Sequence, residues 1–171
     1  HKRLILLLLL WQTMTSTRHA AVIRAVAVIG KENEPLFLQT YTESKEDNQT
    51  ALHYHVHTSL DIVEEKIGGS GKVYPNAQDM YLGQLYIVQD LKLFGYATNT
   101  KTKFIVVVNG TPSSSSMKTW MRDFHELYIQ TTANPFCELM DDKSGLYTTT
   151  FMDSVRKRIA AFNEKGIGYQ K

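Results

Sequence analysis

The chain has 171 residues, 43% apolar and 21% charged, enough for one domain with a core on both sides of a sheet. Its formal net charge of +2 leaves no electrostatic footprint for nucleic acid or a charged membrane surface. The single cysteine, Cys137, excludes a disulfide framework and makes a reducing compartment the simpler setting.

The chain opens with an apolar run, residues 4–11, behind Lys2 and Arg3. The run is too short to cross a bilayer as a helix. It resembles the charged and apolar regions of a signal peptide, but Arg18 and His19 interrupt the only stretch that could hold a cleavage site. The first methionine is Met14. Residues 1–19 are therefore expected to be an extension outside the fold, 20–165 a single domain and 166–171 a tail.

Residues 20–29 read as a strand, apolar on both parities except at Arg24. A turn follows, and Pro35, which cannot donate to a ladder, stands at the entrance of a second strand over 36–41. The two form a hairpin. Residues 42–49 are polar and read as a loop. The period then changes: Leu52, Val56, Leu60, Val63 and Ile67 recur at spacings of four and three, which predicts a helix over 50–67. Its opposite face carries Tyr54, Thr58, Asp61 and Glu65. Gly68 to Gly71 end it.

Residues 80–109 predict a meander of three strands, broken at Gln89-Asp90 and at Asn99-Thr100-Lys101. In the last of them Phe104, Val106 and Val108 point one way, Ile105 and Val107 the other. Both faces are apolar, so the sheet is covered on both. Two helices follow. The first carries Met117, Trp120, Phe124, Leu127 or Tyr128, and Thr131, and stops at Asn134-Pro135. The second, over 146–164, carries Phe151, Val155, Ile159 and Phe162. The predicted class is α/β (α+β): a five-stranded antiparallel sheet with the first helix on one face and the last two on the other.

Candidate chemistry is thin. His53, His55 and His57 alternate, but on a helix only His53 and His57 share a face, and no third metal ligand is placed. Gly68-Gly69-Ser70-Gly71-Lys72 lacks the leading glycine and the trailing Ser or Thr of a phosphate loop, and closes a helix instead of opening one. Cys137, His125 and Asp123 contain the groups of a nucleophile triad, with nothing in the sequence to bring them together. The serines at 113–116 have no nucleophile-elbow context, and Asp141-Asp142 diverge in a turn. Asn134-Pro135-Phe136 reads as a helix stop more readily than as a docking tripeptide. The acceptor patterns at Asn48 and Asn109 are too frequent to carry meaning. With no catalytic, cofactor or metal constellation in view, a binding or assembly module is expected, not an enzyme.

Several pieces, in order, carry a resemblance: Lys31-Glu32-Asn33-Glu34-Pro35-Leu36, His57-Thr58-Ser59-Leu60-Asp61, Tyr81-Leu82-Gly83-Gln84-Leu85-Tyr86, Gly95-Tyr96-Ala97-Thr98-Asn99, Lys103-Phe104 and Asn134-Pro135-Phe136. Over residues 21–162 the chain resembles the sedlin family of small subunits of the transport protein particle (TRAPP). The resemblance implies a longin-like (SNARE-like) fold. It implies a non-catalytic adaptor in a tethering complex that acts as a Rab guanine-nucleotide exchange factor in ER-to-Golgi and intra-Golgi transport. The partners it implies are neighbouring small subunits and a large subunit, with the Rab GTPase and the membrane reached only through the complex. The implied location is cytoplasmic, peripheral to Golgi membranes. Asp61 matches the acidic position of the family's His-x-Ser-Leu-Asp pattern, so it leads the expected interface set of Asp61, Tyr54, Thr58 and Glu65. The chain departs from the family at its apolar N-terminus, in the polar loop at 43–50, in the serines at 113–116 and along the last helix. Two other readings compete. A longin-type regulator of SNARE-mediated fusion expects a C-terminal coiled coil, and no heptads follow the last helix. A small hydrolase using Cys137 or the histidines expects a deep pocket where such groups converge.

Overall fold

The computed structural model describes residues 21–41, 46–68, 80–133, 146 and 148–168. They form strands β1 (Val22–Ile29) and β2 (Pro35–Thr40), helix α1 (Glu46–Gly68), strands β3 (Tyr81–Val88), β4 (Leu91–Ala97) and β5 (Lys103–Asn109), and helices α2 (Ser114–Thr132) and α3 (Thr149–Gly168). The five strands make one antiparallel sheet in the order β2-β1-β5-β4-β3. This is the longin-like α+β arrangement expected. The chain makes the β1–β2 hairpin, crosses the sheet through α1, and returns by the meander so that β5 lands beside β1.

The parity of β5 decides the layering. Phe104, Val106 and Val108 pack with Met117, Trp120, Phe124, Phe151 and Val155 from α2 and α3. Ile105 and Val107 pack with Leu52, Val56 and Leu60 of α1. The two cores differ in texture. On the α2–α3 side, the Phe104 ring meets Tyr96, Phe124 and Tyr128 with centroids 5.4–5.9 Å apart, and Trp120 stacks on Phe124 at 5.3 Å. The α1 side is aliphatic, and Ala25 and Ala27 lie in it, small side chains that let a helix lie close to its strand. β1 reaches both cores by alternation, Val26 and Val28 in the aromatic one and Ala25, Ala27 and Ile29 in the aliphatic one, and an irregularity alters the pattern at its start. Its register against β5 shifts between Ile23 and Ala25, and the Ile23 N–H donates to Asn163 Oδ1 of α3 at 2.9 Å. Ile23 therefore joins the aromatic core while Ala25 lies in the aliphatic one.

Several boundaries moved. α1 begins at Glu46, before the expected residue 50, because its first turn is polar and has no stripe to read. α3 runs from Thr149 rather than 146 and continues through Gly166 to Gly168, because a glycine only weakens a helix. Ile67, expected inward, is 42% exposed, whereas Ser59 is fully buried and donates its hydroxyl to the Val56 carbonyl at 2.6 Å. α2 starts at the serines because Ser113 is its N-cap, accepting from the Ser116 N–H at 3.2 Å. The stop at Asn134-Pro135, the glycine-rich loop after Gly68, Cys137 and the Asp141-Asp142 turn lie outside the described residues.

Candidate functional site

The outward face of α1 is the site to examine, and it is defined by what holds the rest of the helix. Leu52, Val56, Ser59, Leu60 and Val63 are buried against the sheet. One flank is fastened to the β1–β2 turn. Asn33 sits there with φ +65°, a conformation asparagine tolerates better than most residues. Its Nδ2 donates to Glu64 Oε1 at 2.6 Å, and its Oδ1 accepts from Lys103 Nζ. Lys103, at the start of β5, is only 4% exposed, and its ammonium lies 3.6 Å from Glu64 Oε1. The Asn33 hydrogen bond, followed by the Lys103 charge, holds the Glu64 carboxyl below its usual range.

The other flank is fastened to β3. The Tyr86 hydroxyl donates to the His55 carbonyl at 2.8 Å, and burial pushes that hydroxyl's pKa up. The His55 ring lies edge-on to Tyr86, centroids 6.3 Å apart. In the last turn, Lys66 Nζ donates to the carbonyls of Leu82 and Gln84 at 3.1 and 3.0 Å.

The predicted set lies outside these fastenings, as do His53 and His57. Tyr54, Thr58, Asp61 and Glu65 are all exposed, one above another along the helix at spacings of four, three and four. Tyr54 is 66% exposed, and the Thr58 hydroxyl donates to the Tyr54 carbonyl at 3.0 Å. Among the described residues neither Asp61 nor Glu65 has an ion-pair partner. The line therefore offers an aromatic ring and two uncompensated carboxylates to whatever meets it.

The other sequence candidates are placed elsewhere. His53 and His57 are exposed on the helix and His55 is half-buried against Tyr86. Among the described residues no three His, Cys, Asp or Glu side chains converge as a metal set would. His125 packs inward, its ring 5.3 Å from both Tyr96 and Phe104, with Nδ1 3.1 Å from the Tyr96 hydroxyl. Burial lowers its pKa. Asp123 instead lines a cleft of about 540 Å³ between α2 and α3, with Trp120, Arg158 and Phe162. The structure thus does not join His125 to Asp123. Sequence reasoning missed the Lys103–Asn33–Glu64 network and the Lys66 contact. Lysine at the head of an apolar strand was the one signal for the first, and nothing local signalled the second.

The comparisons with known proteins agree with this architecture. A family model described as Sedlin matches residues 28–160, from within β1 to within α3. A Dictyostelium discoideum protein named trafficking protein particle complex subunit 2-like protein is 49% identical over 117 residues, covering 67% of this chain and 81% of that protein. A Xenopus tropicalis protein of the same name is 42% identical over 114 residues, covering 65% and 80%. Trafficking protein particle complex subunit 20 of Saccharomyces cerevisiae is 24% identical over 169 residues, covering 78% and 97%. With five strands in the expected order, a helix layer on each face and a family match running almost from end to end of them, the chain belongs to the Sedlin family.

Proposed function

We propose that this chain is a subunit of a trafficking protein particle complex, acting in vesicle transport as a non-catalytic adaptor that binds its neighbours through the outer face of α1. The names of its relatives support the complex. The observation that carries the surface is the exposed line of Tyr54, Thr58, Asp61 and Glu65, whose two carboxylates have no ion-pair partner among the described residues, on a helix held at its buried face and both flanks. Asp61 lies in the middle of that line. A partner that sets a basic side chain against Asp61 gains a charge-assisted contact that forms as water leaves the interface. The finer reading follows the family: neighbouring small subunits and a large subunit as partners, exchange activity toward a Rab GTPase carried by other subunits, and location at the Golgi through the complex.

The test is Asp61→Tyr in the full chain, assayed by recovery of complex subunits and by circular dichroism. The expected outcome is loss of partner recovery with an unchanged spectrum and melting curve, since among the described residues the exposed Asp61 side chain makes no ion pair. Full recovery of every subunit by the variant would remove Asp61 from the interface.

A further inference from the structure

The linker between β5 and α2 holds the chain's one pairing of a hydroxyl residue with a following proline. Pro35 follows Glu34, Pro75 follows Tyr74 and Pro135 follows Asn134, whereas Pro112 follows Thr111. Such a pair is common as a sequence; what sets this one apart is where the fold puts it. Thr111 is exposed and lies outside regular structure. A residue before proline is driven toward extended backbone, the pyrrolidine ring fixes φ at Pro112, and Ser113 is extended at φ −70°, ψ 143°. Residues 111–113 therefore present a short extended segment, the form in which many clefts take a peptide. The Thr111 hydroxyl also meets a cation. Lys92 of β4 pairs with Val108 of β5, and directly opposed residues share a face of the sheet. Val108 belongs to the core under α2 and α3, so Lys92 lies on the side toward which the linker turns, and its Nζ donates to Thr111 Oγ1 at 3.0 Å. Asp90 meets the same linker through its carbonyl, which accepts from the Gly110 N–H at 3.3 Å. The first turn of α2, which follows, carries no acidic side chain.

We propose that Thr111 is a phosphorylation site for a proline-directed protein kinase, with the Lys92 ammonium as the cation that receives the phosphate. In the transfer, Thr111 Oγ1 attacks the γ-phosphorus of Mg-ATP and the bond from that phosphorus to the β–γ bridging oxygen breaks. ADP leaves, and the hydroxyl proton passes to the kinase's catalytic aspartate. The product places a charge of about −1.5 to −2 on an oxygen that Lys92 already touches. A hydrogen bond from a cation to a neutral hydroxyl becomes one between opposite charges. The phosphate also lies just ahead of the positive end of α2. Phosphorylation therefore ties the linker to β4 and leaves α2 intact, where a phosphate set among carboxylates would push the segment away. This inference stands apart from the proposed function and uses none of its residues.

The experiment treats the folded full chain with Mg-ATP and a purified proline-directed kinase, one of the mitogen-activated class and one of the cyclin-dependent class in separate reactions, and maps the product by mass spectrometry. Phosphate on Thr111 is expected with at least one of the two. Thr111→Val is expected to take none at that position, and Pro112→Ala to incorporate it about tenfold more slowly or worse. The Lys92 contact is read by phosphorus NMR of the modified chain as pH is varied. The second pKa of the phosphate is expected about half a unit or more below its ordinary value of about 6, and to rise again in Lys92→Met but not in Lys92→Arg. The proposal is overturned if neither kinase modifies Thr111, if Thr111 is modified only once the chain is unfolded, or if Lys92→Met leaves the phosphate pKa where it was. Equal incorporation in Pro112→Ala, or in Pro112→Ser should the first not fold, overturns it as well.

Discussion

Two neighbouring valines in β5 test the two-sided core directly. Val106 and Val107 are both fully buried, Val106 among the aromatic side chains under α2 and α3 and Val107 among the aliphatic ones under α1. Valine to alanine removes two carbons, worth about 1.6 kcal/mol at roughly 0.8 kcal/mol per buried methylene. A residual void adds to this, giving about 2–3 kcal/mol for each substitution. The side chains enter separate cores, so the double variant is expected to lose the sum within about 0.5 kcal/mol. That is a large part of the roughly 5–15 kcal/mol that holds an ordinary domain together. Urea unfolding followed by circular dichroism reads this as a lower midpoint at constant slope, by about 1–2 M for each single change. If Val107→Ala costs less than about 0.5 kcal/mol while Val106→Ala carries its full cost, α1 does not seal its face of the sheet. The argument that its outer face is presented rigidly then fails.

Two further predictions rest on single groups. Burial holds the His125 imidazole below its ordinary pKa, so the unfolded chain binds more protons in the window just below the free-histidine value. The stability from neutral His125 is complete above about pH 6.5 and falls away as pH drops toward the folded value, by at most about 1.4 kcal/mol per pH unit. His125→Phe keeps a ring against Tyr96 and Phe104 and is expected to flatten that part of the profile, measured as urea midpoints from pH 5 to pH 8. An unaltered slope would show that His125 is not the residue responsible. In the Lys103–Asn33–Glu64 network, Glu64→Ala strands a buried ammonium, whereas Lys103→Met removes it, so the glutamate variant is expected to melt lower than the lysine variant. Scanning calorimetry of both would reveal the opposite order if the ammonium were well solvated.

Much of this fold was legible because each element repeats one simple rule over enough residues. β5 alternates apolar with apolar, which only a sheet covered on both faces allows, and the α1 stripe from Leu52 to Val63 keeps helical spacing. The outer line of Tyr54, Thr58, Asp61 and Glu65 came with that stripe as its complement, although periodicity alone ranks none of the four, and it was the resemblance that put Asp61 first. The misses occur where geometry is set by a distant partner. Ile23 changes sides at the register shift against β5, where its N–H is taken by an asparagine 140 residues away. Ser59 is buried because its hydroxyl finds the carbonyl three residues back, something no hydropathy count registers. Lys103 looks like a solvent-facing strand end until Asn33 and Glu64 are placed over it, and those lie 70 and 39 residues away in the chain.

Three independent fastenings fix α1: the apolar stripe, the Asn33–Glu64–Lys103 network on one flank, and Tyr86 with Lys66 on the other. None of them uses a side chain from the outward line. The residues that position this helix are therefore separate from those proposed to recognise a partner. A change at Asp61 leaves every contact that orients the helix in place, whereas a change at Lys103 or Tyr86 alters how the helix lies without touching the presented surface. An adaptor built this way loses a partner through surface substitutions without losing its fold, and it loses its fold through substitutions no partner ever touches. Partner recovery and melting temperature should therefore vary independently across a panel of α1 variants. Proportional losses of both, at every position along the outward line, would mean that the presented face is also part of what holds the domain together.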